Sequence, residues 1–268
     1  MKFNIVSIFP QMFSALTDFG IVGQAVKSGR IQFQLINPRD FTEDFHKTVD
    51  DRPYGGGDGM VMLATPLQKA LEKLKAEGEL GYVVYLSPQG SLWSDQKARG
   101  FLEKNLALEK NLTLICGRYG GVDERLLRTY VDEEISVGDY VLSGGEIPAM
   151  ALVDSLVRFI PGVLGNKESP NKETFSEGLL EAPQFTRPQK VLGSQVPEVL
   201  TMGDHAKIES WRRDISLVKT AIKRPQLMTE SHKRDLPKAI QRVMTFPEND
   251  LLVSGLSVEK LTELSKDL

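Results

Sequence analysis

The stretch Glu134–Pro161, EISVGDYVLSGGEIPAMALVDSLVRFIP, reads as a strand, a tight glycine loop and then a helix. Ile135, Val137, Tyr140, Val141 and Leu142 are strand-type residues, interrupted by Gly138-Asp139 and closed by Ser143-Gly144-Gly145. From Glu146 the apolar period turns helical through Ile147, Met150, Ala151, Val157 and Ile160. Pro148 suits a first helical turn and Pro161 ends the helix. Without a Cβ in the way, backbone groups of such a loop can approach a flat polar ligand, and a helix start adds partial positive charge. The same glycines would also serve a plain strand-to-helix turn, so the rest of the chain has to decide.

Working outward, strand signals recur at Lys2–Phe9, Ile31–Asn37, Tyr82–Ser87, Leu112–Cys116 and Glu134–Leu142. Helix-like segments lie between and after them at Gln11–Lys27, Pro66–Ala76, Ser94–Asn105, Asp123–Arg128 and Glu146–Phe159. This alternation predicts an α/β fold with a mostly parallel sheet covered on both faces. Ligands of such sheets sit beyond the C-terminal ends of the strands. Three loops fall there: Ser87–Gly90, Gly117–Gly121 and Ser143–Gly145. A further glycine-rich segment, Asp50–Met60, reads either as a loop that closes over substrate or as a structural turn; it lacks the Gly-Lys-Ser/Thr ending of a P-loop.

After Pro161 the composition becomes polar and turn-rich. The chain is therefore expected to divide into a domain at 1–161, a linker at 162–173 and a smaller helical domain at 174–268. In the last of these, Ile208, Trp211, Ile215 and Val218 would share one face of a helix over His205–Lys223, and helical period returns near Lys233–Met244.

With 268 residues and 41% apolar content, the chain can bury a substantial core. It has no apolar run long enough for a bilayer, and Pro10 with no small-residue cleavage site argues against a secretory signal. A single cysteine, Cys116, excludes an internal disulfide and a cysteine-cluster metal site, and reads as a core residue. His46, His205 and His232 show no ligand spacing, so no metal site is expected. These features point to the cytoplasm and away from a membrane.

The net charge of −3 hides a local excess. Lys207, Arg212, Arg213, Lys219, Lys223, Arg224, Lys233, Arg234, Lys238 and Arg242 face only Glu209, Asp214, Glu230 and Asp235, a surplus of about +6. Such a segment is either a solvated helical face or a surface for an RNA backbone.

Long segments of the chain resemble one family. YLSPQG (Tyr85–Gly90), LICGRYGGVDER (Leu114–Arg125), SVGDYVLSGGEIPAM (Ser136–Met150), RFIPGVLG (Arg158–Gly165), FSEGLLEAPQFTRP (Phe175–Pro188) and GDHAKIESWR (Gly203–Arg212) are similar to the bacterial tRNA (guanine-37-N1)-methyltransferases, in the family's order. So are VSIFPQMF near the start and RPYGGGDGMVM in the glycine loop. The resemblance implies a SPOUT-type fold, whose parallel sheet has its C-terminal part tied in a trefoil knot, and a homodimer that uses S-adenosylmethionine to methylate tRNA with guanine at position 37.

By the same resemblance the cofactor would be held by Tyr85, Leu86, Ser87, Pro88, Gly117, Tyr119, Val137, Gly138, Asp139, Tyr140, Val141, Leu142, Gly144 and Gly145. His205, Lys207, Arg212 and Arg213 would meet RNA. Methylation of guanine N1 needs a base for the N1 proton and a cation for the charge that develops on O6. The family uses an arginine of RFIPG for the charge, here Arg158, and an aspartate just before the SFxxGLL segment as base. The corresponding position, reached through the gapless run Gly165–Phe175, is Glu173, one methylene longer; Glu177 and Glu168 are the alternative bases.

Gly120 stands where the family usually has glutamate, near the cofactor and a divalent-ion site, so a magnesium requirement is not expected to carry over unchanged. Two other readings stay open. One is a SPOUT methyltransferase with a different RNA target, and the other is a tRNA-binding protein impaired in catalysis by the changes at Glu173 and Gly120.

Overall fold

Five runs rich in branched and aromatic residues pair side by side, all parallel, in the order β2-β1-β6-β5-β7. They are Lys2–Val6 (β1), Gln32–Ile36 (β2), Tyr82–Leu92 (β5), Leu112–Ile115 (β6) and Glu133–Ser136 (β7), with a small antiparallel hairpin, Asp50–Asp51 (β3) and Val61–Met62 (β4), between β2 and β5. This computed structural model describes residues 1–107, 111–165 and 173–266, with backbone alone for 105–107. Of the expected linker 162–173, residues 166–172 lie outside the described ones, Glu168 among them.

The chain divides into two compact units, Met1–Lys167 and Glu168–Leu268. In the first, the period-2 pleat of the strands sends alternate residues to opposite faces. Phe3, Ile5, Val84, Leu86, Leu112, Leu114 and Ile135 join one core, which is covered by Gly20–Lys27 (α2), Asp95–Ala107 (α4) and Glu146–Val157 (α6). Val83, Tyr85 and Ile115 join the other core, under Ala64–Ala76 (α3) and Glu124–Tyr130 (α5). Helices on both faces are what a buried parallel sheet requires.

Four expectations need correction. The helix expected over Gln11–Lys27 is broken into a 3-10 turn at Pro10–Phe13, a single α turn at Ser14–Thr17 (α1) and α2, because Gly20 turns the backbone at φ +63°. The strand expected over Glu134–Leu142 stops at Ser136, which pairs with Leu92, the last residue of β5, so Val137–Leu142 has no neighbour to bond. The Ser136 hydroxyl instead accepts from the Gly138 N–H at 3.2 Å and turns the chain outward. The strand Tyr82–Ser87 runs on to Leu92: Leu86 and Ser91 both pair with Ile135, so the residues between them leave the ladder as a projecting loop. In α6 the buried stripe is Ala149, Leu152, Val153, Leu156 and Val157; of the residues expected to face the core, Val157 and Ile160 are buried and Met150 packs against it, while Ile147 and Ala151 face solvent, because the helix is apolar nearly all round and periodicity alone does not fix its inner face.

The second unit is helical beyond a two-stranded ribbon, Lys190–Val191 (β8) with Ser194–Gln195 (β9). His205–Lys223 (α7) and Glu230–Val243 (α8) pack through Trp211, Ile215, Val218, Leu236, Ala239, Ile240 and Val243. Glu248–Val253 (α9) and Val258–Lys266 (α10) add Leu251 and Leu261 to the same core. Ile208, Trp211, Ile215 and Val218 do share a face of α7, with Ile208 half-buried at its edge. His232 serves as a cap: its Nδ1 accepts from the Thr229 N–H at 3.3 Å while Thr229 Oγ1 accepts from the His232 N–H at 3.2 Å.

Candidate active site

The C-terminal ends of β5, β6 and β7 open onto a cavity of about 260 Å³. Its walls come from the loop projecting out of β5 (Tyr85–Gln89), the loop after β6 (Gly117–Gly121) and the segment from Ile135 to Gly145, with Pro148 of α6. This is where the strand order predicts a ligand. Leu86, Ile135, Leu142 and Pro148 supply apolar surface, and the glycine loops supply backbone donors and acceptors. A purine with a polar chain attached needs both.

Thirteen of the fourteen residues that the sequence assigns to the cofactor line this cavity: Tyr85, Leu86, Ser87, Pro88, Gly117, Tyr119, Val137, Gly138, Tyr140, Val141, Leu142, Gly144 and Gly145. Asp139 does not; it is exposed at the tip of the turn closed by the Tyr140 N–H donating to the Gly138 carbonyl at 2.9 Å. The cavity is also lined by Gln89, Arg118, Gly120, Gly121 and Ser143, which lie in the three loops expected beyond the strand ends without having been assigned to the cofactor one by one, and by Ile135, Ser136 and Pro148, which no local motif pointed to as contacts. Most of these sit beside residues the sequence names, and the pairing of Leu86 and Ser91 with Ile135, which brings them together, is a property of the sheet that no local motif carries.

Close approach fixes the glycines at the helix start. A Cβ on Gly144 would stand 2.2 Å from Arg118 Nε, and one on Gly145 2.7 Å from the Cys116 Cα. Gly145 donates to the Gly117 carbonyl at 2.9 Å, which ties the two loops together along the backbone. Tyr85 lies beneath the second loop, buried in the core, its hydroxyl 2.7 Å from where a Cβ on Gly117 would stand. Burial, and next the Glu134 carboxylate, push its phenol above the ordinary value, so it stays neutral at physiological pH. Cys116 is fully buried behind the cavity, and burial pushes its thiol well up, as befits a core residue and not a nucleophile.

Charge enters this region as a buried pair. Glu146, at the first turn of α6, is out of contact with water; its Oε2 accepts from Arg118 Nε at 2.8 Å and its Oε1 from Ser7 Oγ at 2.7 Å. The Arg118 guanidinium lies 4.7 Å from the Phe9 ring centroid and donates to the Ser143 carbonyl at 3.2 Å. The glycine-rich hairpin abuts the same loop, since the Gly120 N–H donates to the Met60 carbonyl at 2.7 Å and Met62 N–H to the Gly121 carbonyl at 2.9 Å. Its tip carries Tyr54, 99% exposed.

Arg158 is the C-terminal cap of α6, half-buried, in the first unit. Glu173 belongs to the second, at the head of an ordered turn. There the Glu173 carbonyl accepts from Ser176 N–H at 3.1 Å, and Thr174 and Glu181 exchange bonds at 3.1 and 3.4 Å. The turn is moored on α7 by the Leu180 N–H donating to Thr220 Oγ1 at 2.9 Å. The neighbouring carboxylate Glu177 lies 3.9 Å from Arg213.

Of the residues assigned to RNA, His205 opens α7 and is exposed, as is Arg212. Lys207 pairs with Asp204 at 3.4 Å, and Arg213 also reaches Asp235 at 3.3 Å. Arg242 spends its charge on buried Asp214, so the basic surplus is carried by Arg212, Lys223, Arg224, Arg234 and Lys238, with Lys219 beside them. Desolvation, and next Lys223, draw Lys219 below the ordinary lysine value. Among the described residues no group of three or more His, Cys, Asp or Glu could hold a metal ion, and no helix is long and apolar enough to cross a membrane.

Comparison with known proteins adds an independent line. The family described as tRNA (Guanine-1)-methyltransferase TrmD matches residues 1–230. A tRNA (guanine-N(1)-)-methyltransferase of Photorhabdus laumondii is 52% identical over 264 residues, which covers 98% of this chain and 99% of that one. Proteins of the same description from Pasteurella multocida and Escherichia coli are 53% and 52% identical over 229 residues, 85% of this chain and 91% and 88% of theirs.

Proposed function

Because the chain belongs to the tRNA (guanine-1)-methyltransferase family, we propose that it methylates N1 of guanine in tRNA, at position 37 beside the anticodon, with S-adenosylmethionine as cofactor. The observation that carries this reading is the convergence of three loops, from β5, β6 and β7, on one cavity at the C-terminal edge of the sheet. S-adenosylmethionine supplies an electrophilic methyl group when bound. Tyr85–Pro88, Gly117, Tyr119, Val137, Gly138, Tyr140–Leu142, Gly144 and Gly145 would hold it, through backbone polar groups and the apolar walls at Leu86 and Leu142.

The remaining work falls to side chains of the protein. Guanine N1 bears a proton and its lone pair is engaged with the ring, so a base has to remove that proton as the N–C bond forms. Glu173 accepts the N1 proton, and Arg158 offsets the negative charge that gathers on O6. The family likeness supports a homodimer in which one subunit holds the cofactor and its partner brings the base. Position 37 must be splayed out of its stack to be reached, which the basic surface of the second unit favours by gripping the backbone. His205, Lys207, Arg212 and Arg213 are the proposed contacts. The C-terminal strands and loops of the sheet form the family's trefoil knot, and the enzyme works in the cytoplasm.

Among the described residues no cluster of carboxylates or histidines offers magnesium a cage. Gly120 offers no carboxylate, and transfer from a sulfonium needs no metal in principle. The test is incubation with labelled S-adenosylmethionine and an unmodified tRNA bearing guanine at 36 and 37, followed by nucleoside mapping. One methyl on N1 of guanine-37 is expected. Label on a ribose, on another base, or on no site at all would refute the assignment.

A further inference from the structure

Buried carboxylates persist where cations and donors meet them, and Glu146 is met from two directions. Ser7, just past the end of β1, donates to one oxygen at 2.7 Å; Arg118, just past the end of β6, donates to the other at 2.8 Å. Glu146 itself follows directly on the Gly144-Gly145 turn. Three chain segments, far apart in sequence, thus converge on one carboxylate. Arg118 adds a bond to the Ser143 carbonyl and a two-residue bridge with Gly144.

We infer that Glu146 and Ser7 are positioning residues which, through Arg118, set the spacing of the two glycine loops and thereby the affinity for the cofactor. This rests on the reading of the cavity as the S-adenosylmethionine site. Neither Glu146 nor Ser7 lines the cavity, whereas Arg118 does, so the effect passes through the arginine. Loss of the carboxylate charge frees the guanidinium, and with it the Ser143–Gly144 segment, to move away from the loop after β6. The hydrophobic stripe of α6 below the pair, Ala149, Leu152 and Val153, keeps the helix in place. The expected change is therefore in the shape of the cavity's rim and not in the fold.

Calorimetric titration with S-adenosylmethionine, beside steady-state kinetics, tests this on Glu146→Gln and Ser7→Ala. Asp214→Asn serves as the control, because it breaks a buried pair remote in sequence that lies in the other unit. Glu146→Gln is expected to weaken cofactor binding about tenfold and Ser7→Ala about threefold, with kcat at saturating cofactor within about twofold of the unsubstituted protein. Asp214→Asn should bind the cofactor unchanged. Unaltered cofactor affinity in Ser7→Ala and Glu146→Gln, or a fall in kcat with affinity intact, overturns the inference; if Glu146→Gln does not fold, Ser7→Ala decides alone. Failure of the unsubstituted protein to bind S-adenosylmethionine would instead overturn the cofactor reading, and the inference with it.

Discussion

Each unit buries a carboxylate against an arginine, and the two pairs do different things. In the helical unit Asp214 takes two donors from Arg242, at 2.7 and 2.5 Å, in a forked geometry that joins α7 to α8. That arginine is half exposed, and the pair fastens two regular elements whose apolar faces already meet. In the sheet unit Glu146 and Arg118 are both shielded, 1% and 16% exposed, and they fasten loops that no hydrophobic stripe could hold. Helices can be packed by oil; glycine loops around a cavity need directional bonds. The comparison therefore separates a pair that stabilises from a pair that shapes.

Gly144→Val gives the largest expected effect. Its side chain would occupy the space of the Arg118 guanidinium, so cofactor affinity should fall by about a hundredfold or more in calorimetry, while unfolding of the helical unit is unmoved. If that variant binds the cofactor normally, the loops do not form the site. Asp214→Asn comes next and acts in the opposite sense: urea denaturation should show about 2–3 kcal/mol lost, discounted for the exposure of Arg242, with cofactor affinity intact. The smallest effect belongs to Gly100→Ala. Gly100 sits inside α4 with an ordinary backbone and open space where a Cβ would go, so the sheet unit should gain about 0.5–1 kcal/mol and keep its activity.

How far the sequence reaches follows the same division. The parallel sheet, its two helical coats and the apolar face of α7 are encoded in local period, and the structure has them. The loop residues around the cavity came from long motifs, which name residues one at a time but say nothing of contacts. Glu146 shows the limit: read as a sequence it opens a helix after two glycines, an ordinary place for an acid. Its partners lie 28 residues away at Arg118 and 139 away at Ser7, separations at which no pattern speaks. The strand expected over Glu134–Leu142 failed for a related reason. Val137, Tyr140, Val141 and Leu142 have strand-type side chains, yet β5 ends opposite Ser136 and leaves them nothing to pair with. Edge and partner decide a strand as much as propensity does.

If the sheet unit holds the cofactor and the helical unit supplies the base, as we propose, Glu173→Gln removes the base and leaves the cofactor site whole. Under single-turnover conditions with unmodified tRNA, methyl transfer to guanine N1 should slow by about 10²–10⁴-fold, with S-adenosylmethionine bound as tightly as before. A rate within a few-fold of the unsubstituted protein would contradict the account, because the proton on N1 would then be leaving by another route.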